Sequence, residues 1–229
     1  MDFNEMLGDS LFFGFFLSLF CYWLATKIAK RFPYTILNPL LLSAIFVAAI
    51  LLVFHIDYET YDLGAQYLSY LLTPATICLA VPMYRQIRIL RTHLAAILCS
   101  MFAGCVACAL VILSMSWLFH LDPEIYHALQ PKSITTAIAM GVAEEAGADS
   151  TITVAAVIMT GLLGAMGAKG FCRFLKITHP VAVGLACGNA AHAIGTSKAL
   201  EFGEVEGAMS SLAIVTAGIM TVILVPLFA

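Results

Sequence analysis

The sequence predicts an all-α membrane protein that crosses the bilayer several times. Of its 229 residues, 62% are hydrophobic and only 11% are charged, and the mean hydropathy is +0.97. Several apolar runs reach the roughly 20 residues that a helix needs to cross a bilayer. Two further runs are interrupted by proline, glycine and polar residues, as in the broken helices of transporters. We therefore predict about six full spans and two broken or re-entrant helical segments.

The predicted full spans are the uninterrupted apolar runs between charged or acidic breaks. They cover residues 10–28, 36–54, 63–84, 94–119, 150–168 and 205–228. No linker rich in Pro, Gly or Ser divides the chain, so we expect a single membrane domain over residues 1–229. Within it, residues 1–121 form a scaffold-like part with four spans, and residues 122–229 carry the binding site.

The basic residues predict the orientation. Nine of the eleven lysines and arginines fall in three clusters: Lys27, Lys30 and Arg31; Arg85, Arg88 and Arg91; Lys169, Arg173 and Lys176. The positive-inside rule places all three clusters in the cytoplasm. Residues 124–146 then begin and end outside, and residues 178–200 begin and end inside. Both segments are predicted as re-entrant hairpins, each followed by a span, in an inverted repeat. Eight full crossings are the alternative.

The first interruption predicts a site for a small anion. It reads Gln130-Pro131-Lys132-Ser133-Ile134-Thr135-Thr136. Pro131 ends a helix, and Ser133 is the expected N-cap of the half-helix that follows. The amide groups of that helix start, together with the hydroxyls of Ser133, Thr135 and Thr136 and the charge of Lys132, favour a carboxylate. A capped helix start at the surface is the alternative.

The second interruption adds a polar stripe. Gly188 is expected to break the helix, and Asn189, His192 and Thr196 recur at three- and four-residue spacing, with Gly195 beside them. These residues are predicted to bind the same solute. His192 titrates near neutral pH and could couple transport to a proton, or it could be a hydrogen-bonded structural histidine. Lys198 and Glu201 are a candidate ion pair or coupling pair.

Other chemistry finds no motif. The sequence contains neither H-E-x-x-H nor G-x-S-x-G nor a Walker motif, and its seven cysteines lie in apolar runs where cysteine packs as a small hydrophobe. Cys105 and Cys108 have the spacing of a redox or metal motif but no companion pair, so we interpret them as packing residues. We expect no enzymatic activity, metal, cofactor or nucleic-acid partner.

Four stretches resemble the LrgB/CidB-like family of membrane proteins. They are Leu37-Asn38-Pro39-Leu40, Leu72-Thr73-Pro74-Ala75, Pro131 to Thr136, and Gly188 to Glu201. The resemblance covers nearly the whole chain and implies a multi-pass protein of the bacterial inner membrane. Two family features differ, because Ala137 follows the two threonines and Gly147-Ala148-Asp149-Ser150 stands where the family often has Gly-Gly-Ile-Pro.

The resemblance implies two kinds of function. A related plastid protein carries glycolate and glycerate, and bacterial members are associated with pyruvate, which predicts secondary transport of a small monocarboxylate. The family has also been described as antiholin- or holin-like, which predicts control of murein hydrolase activity and autolysis. The second reading implies a small LrgA/CidA-like partner, and a homo-oligomer is expected in either case.

Overall fold

A computed structural model describes residues 10, 12–32 and 39–228, and all regular elements within these residues are helical. The predicted start of the second span and the landmarks Leu37 and Asn38 lie outside the described residues. The α-helices, in chain order, are α1 (Phe13–Arg31), α2 (Pro39–Val53), α3 (Tyr58–Ala65), α4 (Leu72–Arg85), α5 (Ile87–Thr92), α6 (Leu94–Phe119), α7 (Pro123–Leu129), α8 (Thr136–Glu145), α9 (Ser150–Phe174), α10 (Pro180–Phe202) and α11 (Glu204–Leu224).

The chain divides into two compact units, one up to Cys78 and one from Leu79 onward. We expected a division within the single domain after residue 121 instead. The boundary lies earlier because α6 packs with the helices that follow it: Ile97, Met101 and Cys105 of α6 share a buried core with residues of α9, α10 and α11. The second unit therefore contains both interrupted segments and the helix that they pack against.

The first unit is built around α1. A Cβ atom on Gly14 of α1 would lie within 2 Å of the Tyr61 carbonyl oxygen, so the two backbones are in close contact. The Ser18 hydroxyl, which donates to the Gly14 carbonyl, lies 2.7 Å from the Tyr61 hydroxyl. Buried Cys21 and Ala25 continue the same face of α1.

The span predicted over residues 63–84 is not one continuous α-helix. The structure has α3, then a 3-10 helix over Gln66–Leu71, then α4. Pro74 lies in the first turn of α4, where its missing N–H removes no helical hydrogen bond, so the residue favours a helix start at this point. Hydropathy does not detect such a change of helix, since apolar residues continue across it.

Three of the described helices are long and apolar enough to cross a membrane: Leu94–Phe119, Ser150–Phe174, and Glu204–Leu227, which includes a short 3-10 helix after α11. The first has the bounds that the sequence predicted. The second extends six residues beyond the predicted end at 168, into the basic cluster. Helix α2, Pro39–Val53, is apolar but shorter. The count of about six spans remains a prediction.

Helix α10 is a hairpin of two helical arms. His192 is its one residue with non-helical dihedral angles, at φ 38° and ψ −127°. A Cβ atom on Gly195 would lie 2.2 Å from the carbonyl oxygen of Cys187. Eight residues of straight helix rise about 12 Å, so this contact requires the second arm to fold back along the first. The break is therefore at His192 and not at Gly188, which is helical.

The start of the first arm and the end of the second arm of α10 both lie beside the start of α11. Gly184 in the first arm approaches the Glu206 carbonyl oxygen, at 2.4 Å from an ideal Cβ position, and Gly207 of α11 meets Leu200 in the second arm. Further along, an ideal Cβ on Gly188 would lie 2.3 Å from the Ser210 carbonyl oxygen. Glycines four residues apart let helices approach this closely. The lack of a side chain at Gly188 thus serves packing, which corrects its predicted role as a break.

Helices α7 and α8 are joined by the turn at residues 130–135, and each packs mainly against α9; this helix–turn–helix segment is called the first hairpin below. Ala128 at the end of α7 is buried against Ala143, near the end of α8, and against Ala148. The Thr153 hydroxyl of α9 donates to the Ala128 carbonyl at 3.0 Å. The two helices rise only about 10 and 15 Å, so neither alone matches the thickness of a bilayer core.

Close packing of α10 on α11 predicts that Gly188→Ala destabilises the second unit. The added methyl group meets backbone at 2.3 Å, and backbone cannot rotate away. We expect the free energy of unfolding to fall by about 1–3 kcal/mol. Gly167→Ala is the matched control, because open space surrounds an ideal Cβ there and alanine favours helix by up to about 1 kcal/mol. Reversible denaturation in detergent micelles, followed by circular dichroism, measures both; equal stabilities would contradict the packing.

Candidate functional site

The turns of the two hairpins meet beside the middle of α6. Cys105 and Cys108 lie near the midpoint of this 26-residue helix. The Cys105 thiol donates to Asn189 Oδ1 at 3.7 Å, and Cys108 Sγ lies 3.2 Å from Ser133 Oγ. Asn189 belongs to the second interruption and Ser133 to the first. The fold therefore brings together two segments that are more than fifty residues apart in the sequence.

The first turn places a lysine among neutral polar groups. Lys132 is partly buried, and its Nζ atom donates to Ser133 Oγ at 3.2 Å and to Cys108 Sγ at 3.7 Å. Among the described residues the salt bridge found is that between Lys198 and Glu201, so Lys132 is not ion-paired there. Its charge is available to an anion.

The start of α8 differs by two residues from the prediction. Thr135, with extended dihedral angles, is the N-cap, and Ser133 instead bonds Lys132 and Cys108. The Thr135 side chain makes no capping hydrogen bond. The first amide groups of α8 are therefore open to another acceptor, and Thr135 and Thr136 remain partly accessible beside them.

The second turn presents Asn189 and His192. A Cβ atom on Gly104 would lie 2.3 Å from Asn189 Nδ2, and one on Gly161 would lie 2.7 Å from His192 Cε1, so glycines of α6 and α9 make room for these side chains. His192 is only 4% exposed, and its Nε2 atom has no hydrogen-bond partner among the described residues.

Thr196 and Gly195 support the second turn. Thr196 is fully buried; its hydroxyl donates to the His192 carbonyl at 3.0 Å and lies 2.7 Å from Ser210 Oγ of α11. This pair ties the strained residue to the adjacent helix. Gly195 provides the close contact between the two arms.

A small cavity of about 20 Å³ separates the two turns. It has room for about one water molecule and is too small for a three-carbon acid, so a solute would have to displace the turns. Its lining comes from both turns, from α6 and from the end of α11: Cys105, Cys108, Ala109, Gln130, Ser133, Asn189, Thr221, Leu224, Val225 and Phe228.

The remaining predicted residues lie elsewhere. Lys198 forms its ion pair with Glu201 one turn further along the second arm, and neither residue lines the cavity. Pro131 is fully buried in the turn after α7, where it cannot extend that helix. Among the described residues, no group of three or more His, Cys, Asp or Glu side chains is placed to hold a metal ion.

Several residues at the site were not singled out by the sequence. Cys108 contacts both Lys132 and Ser133, although we interpreted it as a packing residue. Gly104 and Gly161 shape the pocket around Asn189 and His192. A glycine in the middle of a long apolar helix is the signal that was available, because it marks close approach of another chain segment.

Asp149 is an exposed residue at the start of α9. It is the N-cap of α9, and its Oδ1 atom accepts a hydrogen bond from the Thr151 amide at 2.6 Å. That backbone bond lowers the pKa of the exposed carboxyl below its usual value. The carboxylate thus stays charged at neutral pH and fixes the point at which α9 begins.

This arrangement defines a helical membrane protein with a polar site between two hairpin turns. The chain belongs to the LrgB-like family, whose model matches residues 18–229.

The chain is similar over nearly its whole length to several curated proteins. It is 36% identical over 212 residues to the uncharacterized protein YwbG of Bacillus subtilis (strain 168), covering 92% of this chain and 94% of the relative. It is 33% identical over 219 residues to the antiholin-like protein LrgB of Bacillus cereus (strain B4264) and of Bacillus anthracis (strain CDC 684 / NRRL 3495), covering 95% of each chain. No solved structure matches.

The buried hydroxyl pair predicts a stabilising role for Thr196. We expect Thr196→Val to lower the free energy of unfolding by about 1–3 kcal/mol, because it leaves Ser210 and the His192 carbonyl without this partner. Ser197→Ala is the control, since that hydroxyl is exposed and bonds only the carbonyl one turn back. The measurement is denaturation in micelles. Unchanged stability of the Thr196 variant would contradict the role.

Proposed function

We propose that this chain is a secondary carrier for a small monocarboxylate of the pyruvate, glycolate or glycerate type. The observation that carries the proposal is the position of Lys132. A lysine near the middle of a bilayer costs several kcal/mol, on the order of 3 by insertion scales, unless it has a partner or water. Its contacts in this structure are two neutral groups, Ser133 and Cys108. A carboxylate at the turn would supply the missing counter-charge.

The rest of the site suits such an acid. The amides at the start of α8 and the Ser133 hydroxyl can donate to the carboxylate beside Lys132. Across the cavity, the Asn189 amide is available for a 2-oxo or 2-hydroxy group, and His192 Nε2 is buried in the same turn, outside the cavity lining. Buried polar groups without a partner are rare in proteins, and His192 Nε2 is one. A solute held at both ends in this way would bridge the two hairpins.

The proposed topology follows from the hairpins and the basic clusters. We propose that both hairpins are re-entrant, the first from the outer side and the second from the cytoplasmic side of the inner membrane. The contacts of Ala128 with Ala143, and of Gly195 with Cys187, support turns that reverse the chain. Each hairpin precedes a long apolar helix, α9 or α11, which supports an inverted repeat of the kind used by secondary transporters.

A second candidate function is an antiholin-like regulator of murein hydrolase activity and autolysis. The names of the relatives favour this function over transport, because those with a functional name are called antiholin-like proteins. We propose for this case that the chain acts with a small LrgA/CidA-like membrane protein and as a homo-oligomer. The two functions are compatible if the regulator responds to the solute at the site.

Exchanging single lysines tests the carrier. We expect Lys132→Met to lower saturable uptake of labelled pyruvate, glycolate or glycerate into proteoliposomes by about tenfold to a hundredfold, the effect of losing one charged hydrogen bond. Lys198→Met is the matched control, because Lys198 pairs with an exposed glutamate away from the cavity, and its uptake should stay near that of the wild type. Saturable uptake that is equal in both variants would refute the role of Lys132, and absence of uptake in the wild type would refute the carrier.

The same variants separate the two functions in cells. We expect Lys132→Met to abolish any effect of the chain on lysis when it is expressed with a small LrgA-like partner, while Lys198→Met retains the effect, because solute binding would control the response. The measurement is the time course of culture turbidity and of released murein fragments. If the Lys132→Met variant changed lysis as strongly as the wild type does, regulation would be independent of the site at Lys132.

A further inference from the structure

A second and larger cavity leads to the proposed site. It has a volume of about 460 Å³ and lies between the first halves of α6 and α10. His93 and His179, which precede these two helices, stand at one end with their rings 6.5 Å apart. Ser100 lies along the wall, and Asn189 forms the other end. The cavity therefore runs along both helices from their starts to the hairpin turn.

Asn189 connects this cavity to the small one between the turns. It lines both of them, and its Oδ1 atom accepts the hydrogen bond from Cys105. A solute that travels along the larger cavity would meet Asn189 first and then the side that carries Ser133. The large cavity is thus placed as an approach to the site and is not a separate binding pocket.

The charges near its mouth identify the side on which the cavity opens. Helix α6 begins three residues after Arg91, and α10 begins four residues after Lys176, and each of these residues ends a basic cluster. Clusters of this kind face the cytoplasm. A basic rim also raises the local concentration of a small anion at the mouth.

The opposite end of the site is closed. Gln130 Nε2 and the Tyr126 hydroxyl both donate to the Phe228 carbonyl, at 3.1 and 2.6 Å. Gln130 and Phe228 also line the small cavity, so this contact lies between the site and the end of α11. One side of the site is therefore closed by hydrogen bonds, whereas a wide cavity leads to the other side.

We propose that the cavity between α6 and α10 is a water-filled vestibule through which the solute reaches the site from the cytoplasm. This inference rests on the proposed carrier function. The walls are mainly apolar, with few polar groups before Asn189, so an anion is not held along the way. The structure corresponds to the conformation of the carrier that is open to the cytoplasm.

Two neighbouring positions on α6 provide the test. Ser100 and the natural cysteine Cys99 are both exposed, but only Ser100 lines the cavity. Both lie at the same depth along the helix. The variant Ser100→Cys is treated with 2-sulfonatoethyl methanethiosulfonate, a charged reagent that attacks ionised thiols in water, and modification at each cysteine is quantified by peptide mass spectrometry.

In inside-out membrane vesicles we expect Cys modification at position 100 to be at least about tenfold faster than at Cys99, because a thiol that faces lipid stays protonated and out of reach of the reagent. In right-side-out spheroplasts the position 100 thiol should stay unmodified. Treatment with a maleimide after denaturation in sodium dodecyl sulfate should modify both cysteines and so verifies that both are present as free thiols.

The outcomes separate this inference from the carrier proposal. Equal rates at the two positions, or modification of both cysteines only after denaturation, would mean that lipid fills the cavity and would overturn the vestibule even if the wild type transports a carboxylate. A clear contrast between the positions together with absence of uptake would support the vestibule and refute the carrier. Modification from the outer side would overturn the assigned orientation.

Discussion

A chain that reverses direction at membrane depth must cover the backbone groups exposed at the turn, and the second unit depends on how it meets this constraint. The first arm of α10 lies against α11 through Gly184 and Gly188, where backbone approaches backbone. The Thr196 hydroxyl then donates to the carbonyl of His192, the residue that reverses the chain, and is itself hydrogen-bonded to the Ser210 hydroxyl of α11. A side chain at either glycine would separate the helices and remove this support. The packing of α10 on α11 therefore sets the position of Asn189 and His192 in the site.

The polar site contains side chains whose hydrogen-bonding capacity is only partly satisfied within the protein. His192 holds a left-handed conformation that non-glycine residues adopt at a cost of about 1–3 kcal/mol, and such strain is concentrated where proteins bind or switch. Lys132 rests on a thiol and a hydroxyl. Gly184, Gly188 and Thr196, in contrast, contact neighbouring protein groups closely and stabilise the fold.

Sequence reasoning located the elements that depend on composition and missed those that depend on tertiary contact. The bounds of α6 and the interruption after Pro131 follow from hydropathy and from the missing N–H of proline, whereas the return of both interrupted segments to their starting side of the membrane stays a prediction from the charge clusters. The reversal at His192 could not be read from the chain, because Gly188 has the greater intrinsic freedom and only the closeness of α11 keeps it helical. Ser133 is a good N-cap by type, yet contacts from α6 engage its hydroxyl elsewhere. Tertiary contacts likewise place Cys108 beside Ser133 and Lys132, which its position in an apolar run did not predict.

The two sides of the site differ in how much must change for a solute to pass. Toward the start of α6 a cavity already exists, and Asn189 lines both this cavity and the space between the turns. Toward the end of α11 the closure depends on two hydrogen bonds to one carbonyl, that of Phe228. Net contributions of about 1 kcal/mol for each such bond make their rupture thermally accessible. If the proposed carboxylate binds at Lys132, two residues from Gln130, it would compete for the Gln130 amide and so weaken this closure.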